Sequence, residues 1–169
     1  MSNKIICGID PGLKGGLGFI FLDGKVNSFA SMPVLKNGTK SVIDAYGVAM
    51  LLKQYKPDYV AIEKVHAMPK QGVTSVFTFG RGVGIIEGVL SALEIPYIDV
   101  TPQCWQKSIF QGLEVSMGKQ RSIMAVKRRW PTTCGGKITD GQADALCIAT
   151  WLLSSGLSCR SGLDETKCT

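Results

Sequence analysis

Two short apolar runs of this chain each end in a carboxylate. Residues 5–9 lead into Asp10, and residues 59–62 lead into Glu63. A continuous apolar run bounded by turn residues is typical of a strand buried on both faces, as in parallel sheets. Groups at the carboxyl ends of adjacent parallel strands share one crevice. The two runs therefore predict an α/β fold that brings Asp10 and Glu63 to one edge of its sheet.

Turn residues and apolar periodicity predict the other elements. An Asp-Gly pair at 23–24 separates two apolar runs, so the first three strands are expected to form an antiparallel meander. A helix is predicted over 41–55 with Ser41 as its N-cap, and 71–79 is predicted to be a loop leading into a helix over 80–93. The remaining predicted elements are a strand at 97–100 and helices at 102–110, 118–130 and 141–153. Together they predict an α/β fold of the ribonuclease H type, with a five-stranded mixed sheet and helices on both faces.

Two further acids, Asp140 and Asp144, are four residues apart and so lie on one face of the last predicted helix. If all four acids converge, their like charges raise some of their own pKa values unless a cation is bound. Ligands that are all oxygen suit Mg²⁺ or Mn²⁺ and argue against zinc or copper. Two such ions about 4 Å apart can activate a water and stabilise the leaving oxygen of a phosphodiester. The four acids therefore predict a divalent-metal site suited to a nuclease.

Two of these acids have simpler interpretations, which can coexist with a functional role. Asp10 is also explained as a turn aspartate that satisfies backbone N–H groups, and Asp140 as a helix N-cap. Glu63 is harder to explain in this way, because a carboxylate at the end of a buried strand needs a partner to offset its desolvation.

The composition is that of one domain with a nucleic-acid partner. The chain has 169 residues, 45% of them hydrophobic, and we expect a single domain over 1–153 followed by a polar, flexible tail over 154–169. The net charge is +6, and the segment from Thr101 to Lys137 has seven Lys and Arg residues against the single acid Glu114. Such a segment suggests a polyanionic partner, although a solvated helix face is the other interpretation.

The cysteines and the N-terminus indicate the compartment. The six cysteines form no C-x-x-C pair, and we expect them to be reduced thiols. The N-terminus leads into the first strand without the apolar stretch of a signal peptide, and we expect no run long enough to cross a bilayer. These features predict a soluble cytoplasmic protein without a membrane partner.

Four short motifs occur in order along residues 4–153. They are Gly8-Ile-Asp-Pro-Gly12, Ile62-Glu-Lys64, Gly80-Arg-Gly-Val-Gly84 with Val100-Thr-Pro-Gln-Cys-Trp-Gln-Lys107, and Asp140-Gly-Gln-Ala-Asp-Ala-Leu146. Each is weak alone, and four in register are much more specific. Together they resemble the RuvC-type Holliday-junction resolvases, or crossover junction endodeoxyribonucleases. The bacterial pattern spaces its last two ligands by three residues, so the spacing of four is more similar to the phage-like and chloroplast-like branch.

The resemblance implies a homodimeric endonuclease that binds four-way or branched DNA and cuts it by symmetric paired nicks with Mg²⁺ or Mn²⁺, two ions per active site. It implies metal and catalytic roles for Asp10, Glu63, Asp140 and Asp144, a catalytic and DNA-binding role for Lys119, and DNA binding by Lys107 and Arg121. Which of Asp140 and Asp144 binds metal directly stays open, because Gly141 occupies the closer position.

The region after Glu63 faces the junction centre in such resolvases, where a side chain can wedge between unstacked bases. Met68, Phe77 and Phe79 are the candidates here, and stacking on an opened base is worth about 1–3 kcal/mol. Packing of both phenylalanines beneath the following helix is an equal alternative. His66, the only histidine, is expected to contact backbone or phosphate. The glycine-rich helix over 80–93 is expected to contribute to the dimer, since small residues permit close helix approach.

Other functions compete with this interpretation. Actin-like kinases and ATPases share a similar Gly-Ile-Asp-Pro-Gly opening, but they need a second domain for which 169 residues leave no room. A branched-DNA-binding module with weak or no cleavage is one alternative, and a ribonuclease H-like nuclease acting on RNA is another. The four-residue spacing inclines the source towards a bacteriophage acting in the host cytoplasm.

Overall fold

Seven strands and five helices make up the part of the chain that the computed structural model describes, which is residues 4–38, 40–64, 72–113, 120–133 and 136–156. The strands are β1 (Ile5–Asp10), β2 (Gly16–Phe21), β3 (Val26–Ser31), β4 (Val34–Asn37), β5 (Lys40–Ile43), β6 (Tyr59–Glu63) and β7 (Tyr97–Val100). The helices are α1 (Ala45–Tyr55), α2 (Val73–Ala92), α3 (Pro102–Ile109), α4 (Arg121–Arg129) and α5 (Asp140–Ser154).

The main sheet has five strands in the order β3-β2-β1-β6-β7. The chain forms β1, β2 and β3 as an antiparallel meander and then adds β6 and β7 in parallel beside β1. This confirms the predicted mixed sheet. The central position of β1 and β6 explains why both strands read as continuous apolar runs, since each has neighbours on both sides and helices on both faces.

Alternate residues of β1 serve two separate cores. Cys7 and Ile9 belong to a cluster with Val48 and Leu52 of α1 and with side chains of α2. Ile6 belongs to the cluster on the opposite face, which α3, α4 and α5 complete. The period of two in a strand therefore separates a face with two helices from a face with three, and this confirms the prediction of helices on both faces.

The prediction of a helix over 41–55 was wrong at its start. Residues of β4 and β5 pair as a separate two-stranded sheet, and α1 begins only at Ala45. The N-cap is Asp44, whose side chain accepts a hydrogen bond from the backbone N–H of Tyr46, and not Ser41. An Asn-Gly pair at 37–38, with Gly38 at a positive φ of 62°, was the local hairpin signal that the prediction overlooked.

Helix α2 is longer than predicted and starts within the expected loop. It runs from Val73, so the segment 73–79 is helical, and His66 and Met68 lie outside the described residues. By length and composition α2 could cross a membrane, which corrects the expectation that no run is long enough. Its buried residues Ile86 and Leu90 belong to the core that it shares with α1, whereas most of its other residues are exposed or partly exposed.

Two smaller expectations also change. Cys7 and Cys147 are buried free thiols, but Cys104 is disulfide-bonded, which the absence of a C-x-x-C pair could not reveal. The N-cap of α5 is Thr139, whose side chain and that of Gln142 form a reciprocal capping box, so Asp140 is the first helical residue and not the cap. Residues 157–169 of the predicted tail lie outside the described part of the chain.

Candidate functional site

Parallel pairing of β1 and β6 brings the first two acids to one edge of the sheet. Ile9 pairs with Ile62, and Asp10 and Glu63 follow at the next position of each strand. Asp10 Oδ1 accepts a hydrogen bond of 3.3 Å from the backbone N–H of Gly12 in the turn after β1. The strand ends predicted from sequence therefore do place these two carboxylates together.

Glycines allow α5 to reach the same edge. A Cβ on Gly8 of β1 would collide with the carbonyl oxygen of Ala145, and one on Gly18 of β2 would lie 2.7 Å from the backbone nitrogen of Leu146. At the start of α5, a Cβ on Gly141 would collide with the carbonyl oxygen of Lys14. The helix backbone thus lies directly on β1, β2 and their turn, and this contact brings Asp144 to the acids on the strands, whereas Asp140 is exposed at the start of the helix.

The same contact explains why the acids are four residues apart. The α-carbon of Gly141 lies against the backbone of Lys14 and Gly15, where no side chain fits without a shift of the main chain. A carboxylate at position 141 is therefore excluded by this packing. Asp140 and Asp144 are separated by one helical turn and avoid the contact.

Burial and mutual repulsion raise the pKa values of three of the carboxylates. Burial, followed by the charge of Asp144, raises the pKa of Asp10 to about 6 against the hydrogen bond from Gly12. Burial, together with the charges of Asp10 and Asp144, raises the pKa of Glu63 to about 7, although a hydrogen bond from Trp105 opposes this. Burial and the charge of Asp140 raise the pKa of Asp144, against a hydrogen bond from Ser122. Asp10, Glu63 and Asp144 are therefore electrostatically coupled, and the exposed Asp140 adds its charge to this cluster at Asp144.

The donor chemistry of this cluster fits a hard divalent cation. Its ligands are all carboxylate oxygens, and a cation would favour the ionised forms that burial disfavours. Among the residues that the structure describes, no three His, Cys, Asp or Glu side chains are grouped closely enough to form a finished metal site. The fit therefore rests on the donor set and on the coupling of the charges.

Two buried donors contact the cluster, and the sequence interpretation missed both. The indole N–H of Trp105, on α3, donates a 2.9 Å hydrogen bond to Glu63 Oε1. The hydroxyl of Ser122, on α4, donates to Asp144 Oδ1. Trp105 lies within a segment that carried the family resemblance, and Ser122 precedes Val126 by four residues on the buried face of a basic helix. A polar residue on an apolar stripe was the signal that could have identified Ser122.

The predicted DNA-binding residues have different surroundings. Lys107 is exposed on α3, and the guanidinium of Arg121 lies 4.7 Å from the ring centre of Phe110. Phe77 is 72% exposed on α2, so it is not packed beneath the helix, whereas Phe79 is partly buried. Lys119, like Met68, lies outside the described residues.

Phe77 and Phe79 line a cleft of about 740 Å³. Its other walls come from the turn after β1, which includes Lys14, from β5 and from Arg81 of α2. The cleft therefore combines aromatic and basic side chains, and it begins one residue after Asp10, at Pro11.

Comparisons with known proteins agree on one family. A family model described as crossover junction endodeoxyribonuclease RuvC matches residues 6–151 of this chain. The chain is also similar to a Rhizobium johnstonii protein named crossover junction endodeoxyribonuclease RuvC. The two are 29% identical over 160 residues, which cover 88% of this chain and 92% of the relative.

Solved structures show the same fold. One is described as Thermus thermophilus RuvC in complex with a Holliday junction substrate, and it matches with a TM-score of 0.67 at 17% identity. A second, described as the Thermus thermophilus RuvC structure, matches with a TM-score of 0.57 at 18% identity. Each match covers 90% of this chain and 96% of the other. This similarity confirms the predicted ribonuclease H-like fold.

Proposed function

The chain belongs to the RuvC family of crossover junction endodeoxyribonucleases, and from this membership we propose that its active site is the cluster of Asp10, Glu63, Asp140 and Asp144. The protein is a structure-selective endonuclease of Holliday junctions, and metal dependence is general in the family. The observation that carries the proposal is the coupling of three partly buried carboxylates: the charge of Asp144 raises the pKa of Asp10, and the charges of Asp10 and Asp144 raise the pKa of Glu63. Perturbed pKa values of this kind cluster at functional sites.

We propose Mg²⁺ or Mn²⁺ as the cation, with two ions per active site held by these four carboxylates. When bound, such ions lower the pKa of a water and stabilise the leaving oxygen of a phosphodiester. The residues of the chain supply the ligands and hold them in a partly dry crevice. In that crevice the attraction between the carboxylates and a cation is stronger than in bulk water.

DNA binding is proposed for the basic and aromatic residues around this cluster. Lys107 and Arg121, with Lys119 and Met68 outside the described residues, would contact the backbone or the opened centre of a four-way junction. Lys119 would also act near the scissile phosphate. Phe77 and Phe79 would face unstacked bases from the cleft that they line. Phosphate contacts would provide most of the affinity, which should therefore fall steeply with salt.

Symmetric cleavage requires two active sites at a set spacing, and the protein acts as a homodimer, as is typical of its family. We propose that the exposed face of α2 contributes to the dimer. RuvC-type resolvases act on DNA in the bacterial cytoplasm, and we propose the same compartment here, with a bacteriophage as the source.

The test is nicking of a labelled synthetic four-way junction beside a linear duplex of the same sequence, with Mg²⁺, Mn²⁺ or EDTA. Wild type should make paired nicks in the junction alone and only with metal. Asp10→Asn and Asp144→Asn should each lose more than about a thousandfold in rate, because an ionised ligand is replaced by a neutral amide. Asp23→Asn is the matched control, since Asp23 pairs only with Lys25 on the surface.

Two results would contradict this assignment. Tight junction binding by wild type without any cleavage would favour the branched-DNA-binding module. Preferential cleavage of a branched RNA of the same shape would favour the nuclease acting on RNA, because the fold is common to both.

A further inference from the structure

Helices α3 and α4, which follow the last strand in sequence, each have one buried side chain that donates a hydrogen bond to a different carboxylate of the cluster. Trp105 on α3 is 1% exposed and donates to Glu63, and Ser122 on α4 is 4% exposed and donates to Asp144. Both bonds join residues that are far apart in sequence. Neither donor caps its own helix. The N-cap of α3 is Thr101, and the Ser122 hydroxyl donates to Asp144 and not to the backbone of α4.

Side-chain contacts connect helix α3 with the start of α4 beside the two donors. The ring of Phe110 meets Trp105 edge-on at 5.3 Å and an angle of 71°. The guanidinium of Arg121 lies over the Phe110 ring at 4.7 Å from its centre, and Arg121 precedes Ser122 on α4. Trp105 contacts Glu63 and Ser122 contacts Asp144, and we call the set of Trp105, Phe110, Arg121 and Ser122 the α3–α4 wall.

We propose that Trp105 and Ser122 are positioning residues that hold Glu63 and Asp144 in the arrangement that binds metal. This rests on the proposed function, because it assumes that these carboxylates are the ligands. Each donor occupies one oxygen of its carboxylate and leaves the other oxygen for a cation. Donors behind metal ligands restrict the orientation of the ligand and typically change metal affinity or activity by about 10–100-fold when they are removed.

A comparison within the chain separates this role from simple burial. Ser122 and Thr150 are the two buried polar side chains that the described residues include. Thr150 donates to the carbonyl of Leu146 in its own helix, which is a local bond, whereas Ser122 reaches a carboxylate on another helix. Trp130 likewise donates its indole N–H at 2.9 Å, but to the backbone carbonyl of Gly24. Thr150 and Trp130 are therefore matched controls.

The experiment measures Mn²⁺ binding to the full-length protein without DNA, by electron paramagnetic resonance of the free ion, beside single-turnover junction cleavage at increasing Mg²⁺. Trp105→Phe keeps the aromatic ring and removes the N–H, and Ser122→Ala removes the hydroxyl. We expect each to bind Mn²⁺ about 10–100-fold more weakly and to need correspondingly more Mg²⁺ for half-maximal cleavage. Ser122→Thr should restore binding, because threonine keeps the hydroxyl donor.

The controls Trp130→Phe and Thr150→Val remove the same kinds of donor from bonds to backbone, and thermal unfolding compares the stability of all five variants. The proposal holds if Mn²⁺ affinity falls only in the two wall variants and returns with Ser122→Thr. It is overturned if the wall variants bind Mn²⁺ like wild type, or if the controls of similar stability lose as much affinity. Wild type that binds no Mn²⁺ and cuts no junction would instead remove the proposed function, and this inference with it.

Discussion

Helices α5 and α2 lie on opposite faces of the sheet and differ in how much of each helix is buried. Nine of the 15 residues of α5 are buried, whereas only three of the 20 residues of α2 are buried. Yet, among the helices that the structure describes, α2 is the one that is long and apolar enough to cross a membrane. The chain therefore covers α5 with its own sheet and leaves most of α2 exposed. Packing against the sheet holds α5 in place, while an exposed apolar helix is suited to a second protein surface.

Glycines lie around α5 and along α2, but the two sets have different surroundings. Around α5 a Cβ on Gly8, Gly18 or Gly141 would meet backbone atoms of a neighbouring element. Along α2 a Cβ on Gly80, Gly84 or Gly88 would meet nothing within 4 Å. The first set is explained by contacts within one chain. The second set weakens its own helix and allows no close contact within the chain. This favours a contact with another molecule as the explanation of these glycines.

The largest expected effect is on the α5 side. Gly141→Ala should destabilise the protein by about 3 kcal/mol, because the added methyl group forces α5 away from Lys14 and Gly15. Junction cleavage should fall with it, since Asp140 and Asp144 move with the helix. Urea unfolding and cleavage assays measure both effects. Unchanged stability would show that the contact is not as close as we describe.

The carboxylate cluster near α5 should lower the free energy of unfolding by a smaller amount, which depends on pH. The pKa of Asp10 is higher in the folded protein, about 6, than its ordinary value of 3.8. Between these values the folded state binds more protons, so stability without metal falls as pH rises from about 4 to about 7. Asp10→Asn removes the buried charge and should stabilise the metal-free protein at pH 8 by about 1–3 kcal/mol.

Chemical denaturation at pH 5 and pH 8 checks this prediction. The gain from Asp10→Asn should be present at pH 5 and larger at pH 8, because the difference in proton binding accumulates from about pH 4 to about pH 7, and added Mn²⁺ should stabilise wild type more than the variant. Asp23→Asn should show no such gain, because Asp23 is exposed and forms only a surface pair with Lys25. An equal stability of wild type at both pH values would argue against the coupled cluster.

On the α2 side, a bulky residue should affect assembly and not folding. Gly84→Gln places a long side chain where the monomer has open space. If α2 packs closely against a second copy, dimer dissociation should become at least about tenfold easier, a loss of about 1.4 kcal/mol. Analytical ultracentrifugation over a concentration series measures the change. A dimer as tight as that of wild type would remove α2 from the interface.

The smallest expected effect is a gain in stability at the same helix. Gly88→Ala should stabilise the isolated subunit by about 0.5–1 kcal/mol, because alanine loses less backbone entropy in a helix and meets no neighbour here. Thermal unfolding at concentrations below the dimer dissociation constant isolates this effect. The opposite sign from Gly141→Ala is the sharpest test of the contrast between the two helices.

Local signals in the sequence predicted the central strands well and the flanking helices less well. The strands ending at Asp10 and Glu63 and the strand at 97–100 were predicted within a residue, because a buried apolar run is visible without its partners. The start of α2 was missed, because threonine, serine and phenylalanine at 74–79 have weak helix propensity and only the rest of the helix stabilises them. The β4–β5 hairpin was missed although its Asn-Gly turn was present.

The sequence alone determined which residue types could react: four carboxylates at strand ends and on one helix face, a basic segment after them, and an order of motifs that resembles one family. The tertiary structure decided how those groups are held. Glycines on β1 and β2 admit α5, and Trp105 and Ser122 bond to Glu63 and Asp144. These contacts join residues 22 to more than 100 positions apart, and a local pattern cannot encode which distant backbone will lie against a given glycine.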